Sequence, residues 1–391
     1  MFSNLLNPEI QQYIRNNVNS DVTKLALQKN PFPEVGWTDL LNQIAAHQKA
    51  KDKLPTWFNA DGIVYPSKVS VEQTSSEATA SYKSGLVSGN SLIDLTGGFG
   101  IDDFYFSKQI TKVTHCEMNT ELSAIAKHNF NVLGADNIKC EAGDSLNVLT
   151  SSNSQWDWIY VDPARRSDSK GKVFMLADCL PNVPDLLSTY FNYTSNILIK
   201  TSPLLDITAG LNELYFVKQV HIVALNNEVK ELLWILQKGY TKSITLIAAN
   251  ITKSKTETFT SVYNNDAEAS YSAPDKYLYE PNSAIMKSGS FNSISASYNI
   301  NKLHKSTQLY TSDSLIEFPG RRFVINDIVP YQKSEIKQAI HGKKMNVTVR
   351  NFPLPVSEIQ KKWKIKDGGD TYAFFTTNIQ DEKVVLICRK I

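Results

Sequence analysis

Polar residues follow four apolar runs in the first half of the chain, at intervals typical of strand ends. Asp94 precedes a glycine-rich turn, Glu117 closes the second run, Asp144 follows the third, and Asp162-Pro163 ends the fourth. Because the carboxyl ends of parallel strands meet at one edge of a sheet, these side chains are expected to share a site. The set predicts a nucleotide-type ligand held by a parallel sheet.

The turn after the first run, DLTGGFG, contains Gly97, Gly98 and Gly100. Glycines let the backbone approach a ligand, and the amides at the start of the next helix favour negative charge. The turn lacks the GxGxxG spacing of dinucleotide-binding proteins, so it need not hold a pyrophosphate. It suits the methionine carboxylate and amine of S-adenosylmethionine, with Asp94 able to accept hydrogen bonds from the ammonium.

The predicted cofactor contacts come from this turn and from three strand ends. A carboxylate at the tip of the second strand, Glu117, can accept both ribose hydroxyls. Asp144 is expected where the adenine amino group would lie. The full predicted set is Asp94, Thr96, Gly97, Gly98, Gly100, Asp102, Glu117, Met118, Asp144, Ser145 and Asp162.

The fourth run, WDWIYVDPARR, predicts the reacting end of the site. Methyl transfer to an exocyclic amine needs acceptors that orient the nitrogen lone pair, and Asp162 with the carbonyl of Pro163 can supply them. Amino-methyltransferases carry Asp/Asn-Pro-Pro-aromatic here, whereas this chain has Ala164 and Arg165 in the last two positions. A guanidinium can stack on a base or bind phosphate. We therefore group Arg165 with the catalytic residues and disfavour adenine N6; binding of Arg165 and Arg166 to surface carboxylates is the alternative.

The elements that must position these residues alternate between strand-like runs and helical patterns from residue 91 to 240, which predicts parallel βαβ units. The last two runs, 217–225 and 229–237, are separated by too few residues for a crossover helix, so an antiparallel hairpin is expected. The predicted class is α/β, a Rossmann-like class I methyltransferase sheet with an antiparallel edge hairpin. Predicted helices cover 101–109, 119–132, 173–189 and 205–214. A dehydrogenase would have a sixth parallel strand, which favours S-adenosylmethionine over NAD.

Composition places the chain among ordinary globular proteins, with 391 residues, 42% hydrophobic and 20% charged. Two or three domains are expected at this length. The N-terminus lacks a signal segment and no apolar run reaches membrane-spanning length, so cytoplasmic residence is expected. The cysteines occur singly, without a CxxC pair, and predict neither a metal site nor a disulfide framework.

Charge is concentrated at the C-terminal end. Residues 301–391 contain 16 Lys and Arg against 9 Asp and Glu, a net charge of +7, whereas the whole chain carries +2. A basic end predicts a polyanionic partner, although a well-solvated surface would have the same composition. The predicted RNA contacts are Arg166, Arg321, Arg322, Arg350, Lys361, Lys362, Lys364 and Lys366.

Three groups of motifs occur in order along the chain. They are EQTSSEATASYK (72–83), DLTGGFGID (94–102) with VDPARR (161–166), and FPGRRF (318–323) with VRNFP and KKWKIKDGGDTY (349–372). Together they resemble bacterial S-adenosylmethionine-dependent methyltransferases that end in a THUMP-like domain. The resemblance implies a methyltransferase core, a small ferredoxin-like segment and an RNA-binding C-terminal domain. DLTGGFGID is also similar to the DATAGLGRD turn of a guanine-N2 ribosomal RNA methyltransferase, which favours guanine.

The predicted organisation has four parts. They are a helical N-terminal region (1–65), a methyltransferase domain (66–274), a ferredoxin-like segment (275–316) and a THUMP-like RNA-binding domain (317–391). The predicted function is methylation of structured RNA, tRNA or rRNA, at an exocyclic amine such as guanine N2. A catalytically weak RNA-binding protein and a small-molecule methyltransferase are the alternatives, and the oligomeric state is not predicted.

Overall fold

The computed structural model describes residues 2–391, apart from Ser67, Asn153 and residues 166–174. The side chains of residues 68–70 also lie outside the description. The chain divides into two compact units. The first comprises Met1–Gln219 with Glu231–Lys242, and the second comprises Val220–Lys230 with Ser243–Ile391.

Helices form the beginning of the first unit. They are α1 (Pro8–Asn16), α2 (Val22–Leu25), α3 (Trp37–Lys53), α4 (Pro55–Asn59), α5 (Lys68–Gln73) and α6 (Glu77–Ser84). Their apolar residues recur at helical spacing, and the buried Leu40, Ile44 and Trp57 share one core with Phe104 and Ile125 of later helices. Short helices are marginal alone, so burial of this apolar face is what stabilises them. The helical pattern predicted for this region is confirmed.

Short apolar runs form the strands that follow. They are β1 (Gly89–Asp94), β2 (Ile110–Glu117), β3 (Ile138–Ala142), β4 (Trp158–Val161), β5 (Ala164–Arg165), β6 (Cys179–Leu180), β7 (Asn196–Thr201), β8 (Val217–Leu225) and β9 (Glu228–Gln237). The intervening helices are α7 (Ile101–Phe106), α8 (Thr120–Val132), α9 (Ser145–Ser151), α10 (Val183–Tyr190) and α11 (Ile207–Glu213). Strand and helix therefore alternate as predicted.

Strand order in the first unit runs β3-β2-β1-β4-β7-β9. β1 pairs in parallel with β2 and β4, and β4 pairs in parallel with β7. β9 instead runs antiparallel to β7. Between β8 and β9, Asn226 and Asn227 have φ values of 51° and 66°, as the tightest hairpin turns require. The predicted parallel sheet with an antiparallel edge hairpin is confirmed.

One predicted helix, 173–189, is wrong at its start. Its first two residues lie outside the described part of the chain, Leu176–Asp178 form a short 3-10 turn, and β6 follows. The α-helix begins only at Val183, where the side chain of Asn182 caps a backbone amide of the first turn. Pro181 precedes this cap, and a proline that lacks an amide hydrogen favours a helix start over a helix interior.

The second unit is rich in strands. They are β10 (Thr245–Ile251), β11 (Thr256–Val262), β12 (Tyr277–Pro281), β13 (Asn301–His304), β14 (Thr307–Ser312), β15 (Gly320–Pro330), β16 (Asn346–Val349), β17 (Thr371–Thr377) and β18 (Lys383–Lys390). Its helices are α12 (Ser283–Ser288), α13 (Phe291–Tyr298), α14 (Lys333–Ile340) and α15 (Val356–Trp363). From β15 onward the elements follow a strand-helix-strand-helix-strand-strand order.

Seven of these strands form one sheet, in the order β13-β14-β12-β15-β18-β17-β16. β12 and β15 are neighbours, so Leu278 lies opposite Phe323. On β12 the buried carboxylate of Glu280 accepts hydrogen bonds from Arg321 at 2.6 Å and from Arg350 at 2.7 Å. A buried carboxylate needs such partners, and two guanidinium groups supply them here.

No helix in the described part of the chain is long and apolar enough to span a membrane.

Candidate cofactor and acceptor site

The glycines of the turn after β1 have different surroundings. A Cβ at Gly97 would lie 2.3 Å from the ring of His115, and one at Gly100 would lie 2.3 Å from the ring of Phe130. Gly98 has a φ of 57°, and a Cβ there would meet its nearest protein atom at 3.7 Å. Packing therefore explains Gly97 and Gly100, whereas the open space beside Gly98 can admit a ligand.

Glu117, at the end of β2, is held against this turn. Its Oε2 accepts a hydrogen bond from the amide of Gly98 at 2.9 Å, and its Oε1 accepts one from the amide of Asn119 at 2.7 Å. Each carboxylate oxygen can accept a further hydrogen bond. A fixed carboxylate beside an open glycine backbone can thus accept hydrogen bonds from two adjacent ligand hydroxyls.

An exposed thioether follows β2, and an exposed carboxylate follows β3. Met118 is 71% exposed. Asp144 is exposed and caps α9, where its Oδ1 accepts a backbone hydrogen bond at 2.9 Å. Ser145 is the first residue of that helix, and a Cβ at Gly143 would meet no atom within 4 Å. An exposed thioether, an acceptor and an open backbone together can accommodate a planar heterocycle.

Thr96 links the glycine turn to the end of β4. Its amide and its hydroxyl donate to Asp94 Oδ1, at 2.7 Å and 3.0 Å. The same hydroxyl accepts a hydrogen bond from the amide of Asp162, at 2.7 Å. The carboxyl of Asp94 is buried and supports the turn through these bonds. Its predicted contact with a cofactor ammonium therefore stays a prediction, as does the cofactor contact of Thr96.

A buried cluster lies beside the turn. His115 Nδ1 is 2.6 Å from Asp103 Oδ2. Burial, together with the neighbouring carboxylate of Asp103, raises the pKa of Asp94 well above its usual value. Burial also raises the pKa of Asp103 and lowers that of His115. The neutral forms of these groups are therefore favoured, and the turn rests on hydrogen bonds more than on charge.

The end of β4 presents a paired carboxylate. Asp162 Oδ2 accepts a hydrogen bond from Nζ of Lys200, which lies on the adjacent strand β7. Pro163 is buried after it, and Arg165 is exposed on β5, which pairs with β6. The strand end can therefore present an oriented carboxylate to an acceptor, while the backbone at Ala164 and Arg165 is held by pairing with β6.

The sequence analysis did not predict a buried ion network that surrounds Asp102. Asp102 Oδ2 accepts hydrogen bonds from Ser75 at 3.0 Å and from the hydroxyl of Tyr160 at 2.7 Å. Its Oδ1 lies 3.2 Å from Nζ of Lys83, which donates to both oxygens of Glu231 at 2.7 Å and 2.9 Å. Both Asp102 oxygens thus have protein partners, and its predicted cofactor contact stays a prediction.

The sequence did contain a signal for this network. Lys200 ends the apolar run ILIK, and Glu231 begins the run ELLWIL. Charged residues are seldom buried unless they are paired, so a charge inside an apolar strand predicts an opposite charge nearby. The partner itself could not be identified, because Lys83 and Glu231 are 148 positions apart in the chain.

The predicted RNA-binding residues fall into two groups. The arginines have internal partners, since Arg321 and Arg350 contact Glu280 and Arg322 donates to Glu317 at 2.7 Å. The lysines are exposed on and after α15; they are Lys361, Lys362, Lys364 and Lys366. Arg166 lies outside the described residues. RNA contact by any of these residues stays a prediction, and the exposed lysines suit it better than the paired arginines.

Two further lysines adjoin the exposed group. The amide of Lys366 donates to the carbonyl of Lys343 at 3.0 Å, and the carbonyl of Lys366 accepts from Met345 at 2.9 Å. Lys343 and Lys344 are exposed. Among the described residues, no group of three or more His, Cys, Asp or Glu side chains could hold a metal ion. Six exposed lysines therefore lie on neighbouring segments of the second unit.

A sheet of this order, with a glycine turn after its first strand and acidic residues at the following strand ends, defines the class I methyltransferases. Two family models match the second unit, one described as a ferredoxin-like domain over residues 277–319 and one as THUMP domain-like over residues 320–390. A comparison with curated proteins found no match for this chain.

Among solved structures, the chain is similar to one described as a "putative methyltransferase" from Porphyromonas gingivalis W83. The two are 31% identical with a TM-score of 0.87, over 99% of this chain and 98% of that one. The chain belongs to this family of class I S-adenosylmethionine-dependent methyltransferases with a C-terminal THUMP-like domain.

Two other solved structures are similar to part of the chain. An rRNA methylase from Streptococcus thermophilus is 13% identical, covers 41% of this chain and 93% of its own length, and has a TM-score of 0.30. TrmK from M. capricolum, solved with S-adenosyl-homocysteine, is 13% identical, covers 42% of this chain and 70% of its own, and has a TM-score of 0.33. At these scores neither structure bears on the activity of this chain.

The cofactor of the family is S-adenosylmethionine, and the residues at the strand ends fit it. Gly98 and Gly143 leave open space where a Cβ would meet no protein atom closer than 3.7 Å. The fixed carboxylate of Glu117 can accept hydrogen bonds from ribose hydroxyls, and the exposed Met118 has an apolar side chain that can lie against an adenine; both contacts stay predictions. The donor and acceptor set is thus the one that an adenosine-bearing ligand requires.

Proposed function

We propose that this protein methylates structured RNA, tRNA or rRNA, at an exocyclic amine of a base, with guanine N2 as the favoured atom. One observation carries the proposal: the amide of Asp162 donates to the hydroxyl of Thr96 at 2.7 Å. This bond couples the strand end that carries the acceptor-orienting carboxylate to the turn proposed to hold the cofactor. Methyl transfer requires that these two parts be fixed relative to each other.

Asp162 is proposed to orient the acceptor amine. Lys200 bonds to its Oδ2, so we assign Oδ1 as the oxygen that accepts a hydrogen bond from the amine. The carbonyl of Pro163 would accept the second amine hydrogen, and the ring of Pro163 fixes the backbone there. Arg165 is proposed to stack on the base or to bind a phosphate. S-adenosylmethionine, when bound, supplies the electrophilic methyl group.

The cofactor is proposed to lie across the ends of β1, β2 and β3. Glu117 would accept the ribose hydroxyls, and Asp144 would accept from the adenine amino group. Gly98 would lie nearest the methionine part, because a ligand has open space beside it. Asp94, Thr96 and the other predicted contacts would act by supporting this turn.

RNA is proposed to dock on the lysine surface of the second unit, defined by Lys343, Lys344, Lys361, Lys362, Lys364 and Lys366. These side chains are exposed, and ammonium groups bind phosphate oxygens without regard to sequence. The domain division predicted from the sequence remains part of the proposal, with residues 66–274 as the methyltransferase domain. A protein that modifies cellular RNA would act in the cytoplasm.

Nucleoside mass spectrometry of total RNA from a deletion strain tests the function. One methylated nucleoside is expected to disappear, to return with the wild-type gene, and not to return with Asp162→Ala. The identity of that nucleoside would name the base and the atom. An unchanged RNA profile, together with methyl transfer to a small molecule in cell extract, would replace the proposal with the small-molecule alternative.

A further inference from the structure

A chain of buried charges leads from the interior of the first unit to Asp162. The side chain of Lys83 is fully buried and contacts Glu231 at 2.7 Å and Asp102 at 3.2 Å. The side chain of Lys200 is only 13% exposed, whereas that of its partner Asp162 is 36% exposed. Among these five groups Asp162 is the most exposed, so the buried charges open to solvent at the proposed acceptor site.

The charge of Lys200 is maintained by its surroundings. Burial alone would lower the pKa of Lys200, but the carboxylates of Asp162, Asp102 and Glu231 raise it above its usual value. Burial would likewise raise the pKa of Asp102, yet Lys83, Lys200 and the hydrogen bond from Tyr160 hold it below its usual value. Lys200 is thus an ammonium held among three carboxylates, one of which faces the site.

The strand register explains why this lysine reaches Asp162. β4 and β7 run in parallel, with Val161 opposite Ile199. Asp162 follows just past the end of β4 and Lys200 is the next residue on β7, so the two side chains stand at neighbouring positions on the same edge. The backbone of Asp162 is fixed separately by Thr96. Its carboxylate is thereby restrained from two directions.

We propose that Lys200 is a positioning residue for methyl transfer, whose ammonium holds the Asp162 carboxylate in one orientation beside the cofactor turn. The proposal rests on the proposed function, in which Asp162 orients the acceptor amine. Stability alone is a weak reason for the pair, because the Asp162 side chain is 36% exposed, which limits what the ion pair contributes, and Lys83 already balances Glu231. Its value lies in orientation, since misplacement by about 1 Å can cost on the order of 100-fold in rate.

The test compares Lys200→Met and Lys200→Arg with the matched control Lys139→Met, which removes an exposed lysine paired with Glu141. Methyl transfer is measured with S-adenosylmethionine and total RNA from the deletion strain. Lys200→Met is expected to lower kcat by roughly tenfold to 100-fold, with the KM for S-adenosylmethionine within about twofold. Lys200→Arg, which keeps the charge, should recover much of the rate, and the control should match wild type.

Two readouts separate positioning from a merely structural role. The first is the split between kcat and KM, because a lysine that only orients the acceptor-facing carboxylate should change kcat and leave the KM for S-adenosylmethionine nearly unchanged. The groups that face Lys200 are Asp162, Asp102 and Glu231, and removal of Lys200 leaves the pairing of Glu231 with Lys83 in place. In an Asp162→Asn background, Lys200→Met should cause no further loss of kcat, because the lysine acts through that carboxylate.

A measurement without cofactor or RNA distinguishes failure of the positioning role from failure of the proposed function. Urea unfolding of Lys200→Met, Asp162→Asn and the double variant gives the coupling between the two side chains without any substrate. Absence of RNA methylation by the wild type, with clear coupling in unfolding, overturns the proposed function alone. Unchanged kcat in Lys200→Met, or a further loss of kcat when Lys200→Met is added to Asp162→Asn, overturns the positioning role. If Lys200→Met does not fold, Lys200→Gln is compared with Lys200→Arg in the same assays and with the same outcomes.

Discussion

The proposed site in the first unit and the lysine surface in the second unit hold their charges in different ways. At the site, Glu117 is fixed by two backbone amides and Asp162 is fixed by Lys200. On the lysine surface, Lys361 and Lys364 are exposed to solvent. One region orients its charged groups before a ligand arrives, and the other leaves them extended into water.

This difference indicates a division of labour. A carboxylate held in place acts on particular atoms, and its removal should affect one step strongly. Exposed ammonium groups act through the field of many phosphates, and each contributes a small, salt-dependent share of the affinity. Glu280 is the exception in the second unit, because its arginine partners hold it as tightly as the site residues are held. Four changes test the comparison.

Asp162→Ala should have the largest effect. Loss of the acceptor-orienting carboxylate is expected to lower methyl transfer by about 100-fold to 1,000-fold, a range typical of groups that act in the transition state. Calorimetry with S-adenosylhomocysteine should show affinity within about twofold of wild type, because the carboxylate is proposed to act on the acceptor. Asp136→Ala, which removes an exposed aspartate from the same unit, is the control. Wild-type turnover by Asp162→Ala would refute the orienting role.

Glu117→Ala should weaken cofactor binding next most strongly. Hydrogen bonds to a charged group contribute about 1.5–3 kcal/mol, so the Kd for S-adenosylhomocysteine should rise by roughly tenfold to 100-fold. Glu121→Ala removes an exposed carboxylate from the start of α8 and should leave the Kd unchanged. Calorimetry on both variants provides the comparison. If Glu117→Ala and Glu121→Ala bind S-adenosylhomocysteine with equal affinity, the ribose does not depend on Glu117.

Glu280→Gln should destabilise the protein without altering the site. It leaves Arg321 and Arg350 facing a neutral amide, and a broken buried pair is costly. Both arginine side chains are 36% exposed, so solvent reduces the cost to about 1–3 kcal/mol in the free energy of unfolding. Glu317→Gln, whose carboxylate is exposed, should change it by less than about 0.5 kcal/mol. If urea unfolding shows equal stability for both variants, the contacts of Glu280 with Arg321 and Arg350 do not stabilise the protein as predicted.

Removal of the lysines should have the smallest effect per residue. We expect Lys361→Gln, Lys362→Gln and Lys364→Asn together to reduce the slope of log affinity against log salt by about two units, since each RNA phosphate contact contributes about 0.7. Asparagine is chosen at position 364 because its φ is 50°, which asparagine tolerates. Filter binding of total RNA from the deletion strain at several salt concentrations measures the slope.

A charge-matched control completes this experiment. It replaces three exposed lysines of the first unit, Lys24, Lys29 and Lys127, with glutamine. Cofactor affinity should be unchanged in both triple variants. If both reduce the salt slope equally, the net charge of the protein matters more than the lysine surface. If neither changes it, the surface does not dock RNA.

Local patterns made the fold of the first unit predictable. Alternating runs identified its strands, and the short gap between residues 225 and 229 identified the antiparallel hairpin. The helix start near Val183 was missed because helical periodicity outweighed the proline signal at Pro181. Such errors concern boundaries, where capping decides the outcome.

The positions of the candidate site residues were predictable only where these residues lie at strand ends. Glu117 and Asp162 stand at the tips of apolar runs, so their position follows from local pattern. The partners Lys83 and Lys200 come from distant segments, and their pairing depends on tertiary packing that no local pattern specifies. Composition alone also could not separate the exposed Lys361 from the paired Arg350, since both add equally to the charge of the C-terminal block.

The seven-stranded sheet of the second unit contains strands from both segments that the family models match. This limits how the two segments can be separated in a gene or moved into another protein. Two family models meet between residues 319 and 320, yet β12 and β15 are hydrogen-bonded neighbours across that point. If the gene were divided there, each half would have an exposed edge strand with unpaired amides and carbonyls. Such an edge can pair with other chains and cause aggregation. Glu280 would also be separated from both of its guanidinium partners. Residues 277–319 and 320–390 therefore form one structural unit, and a fusion protein should contain both segments or neither.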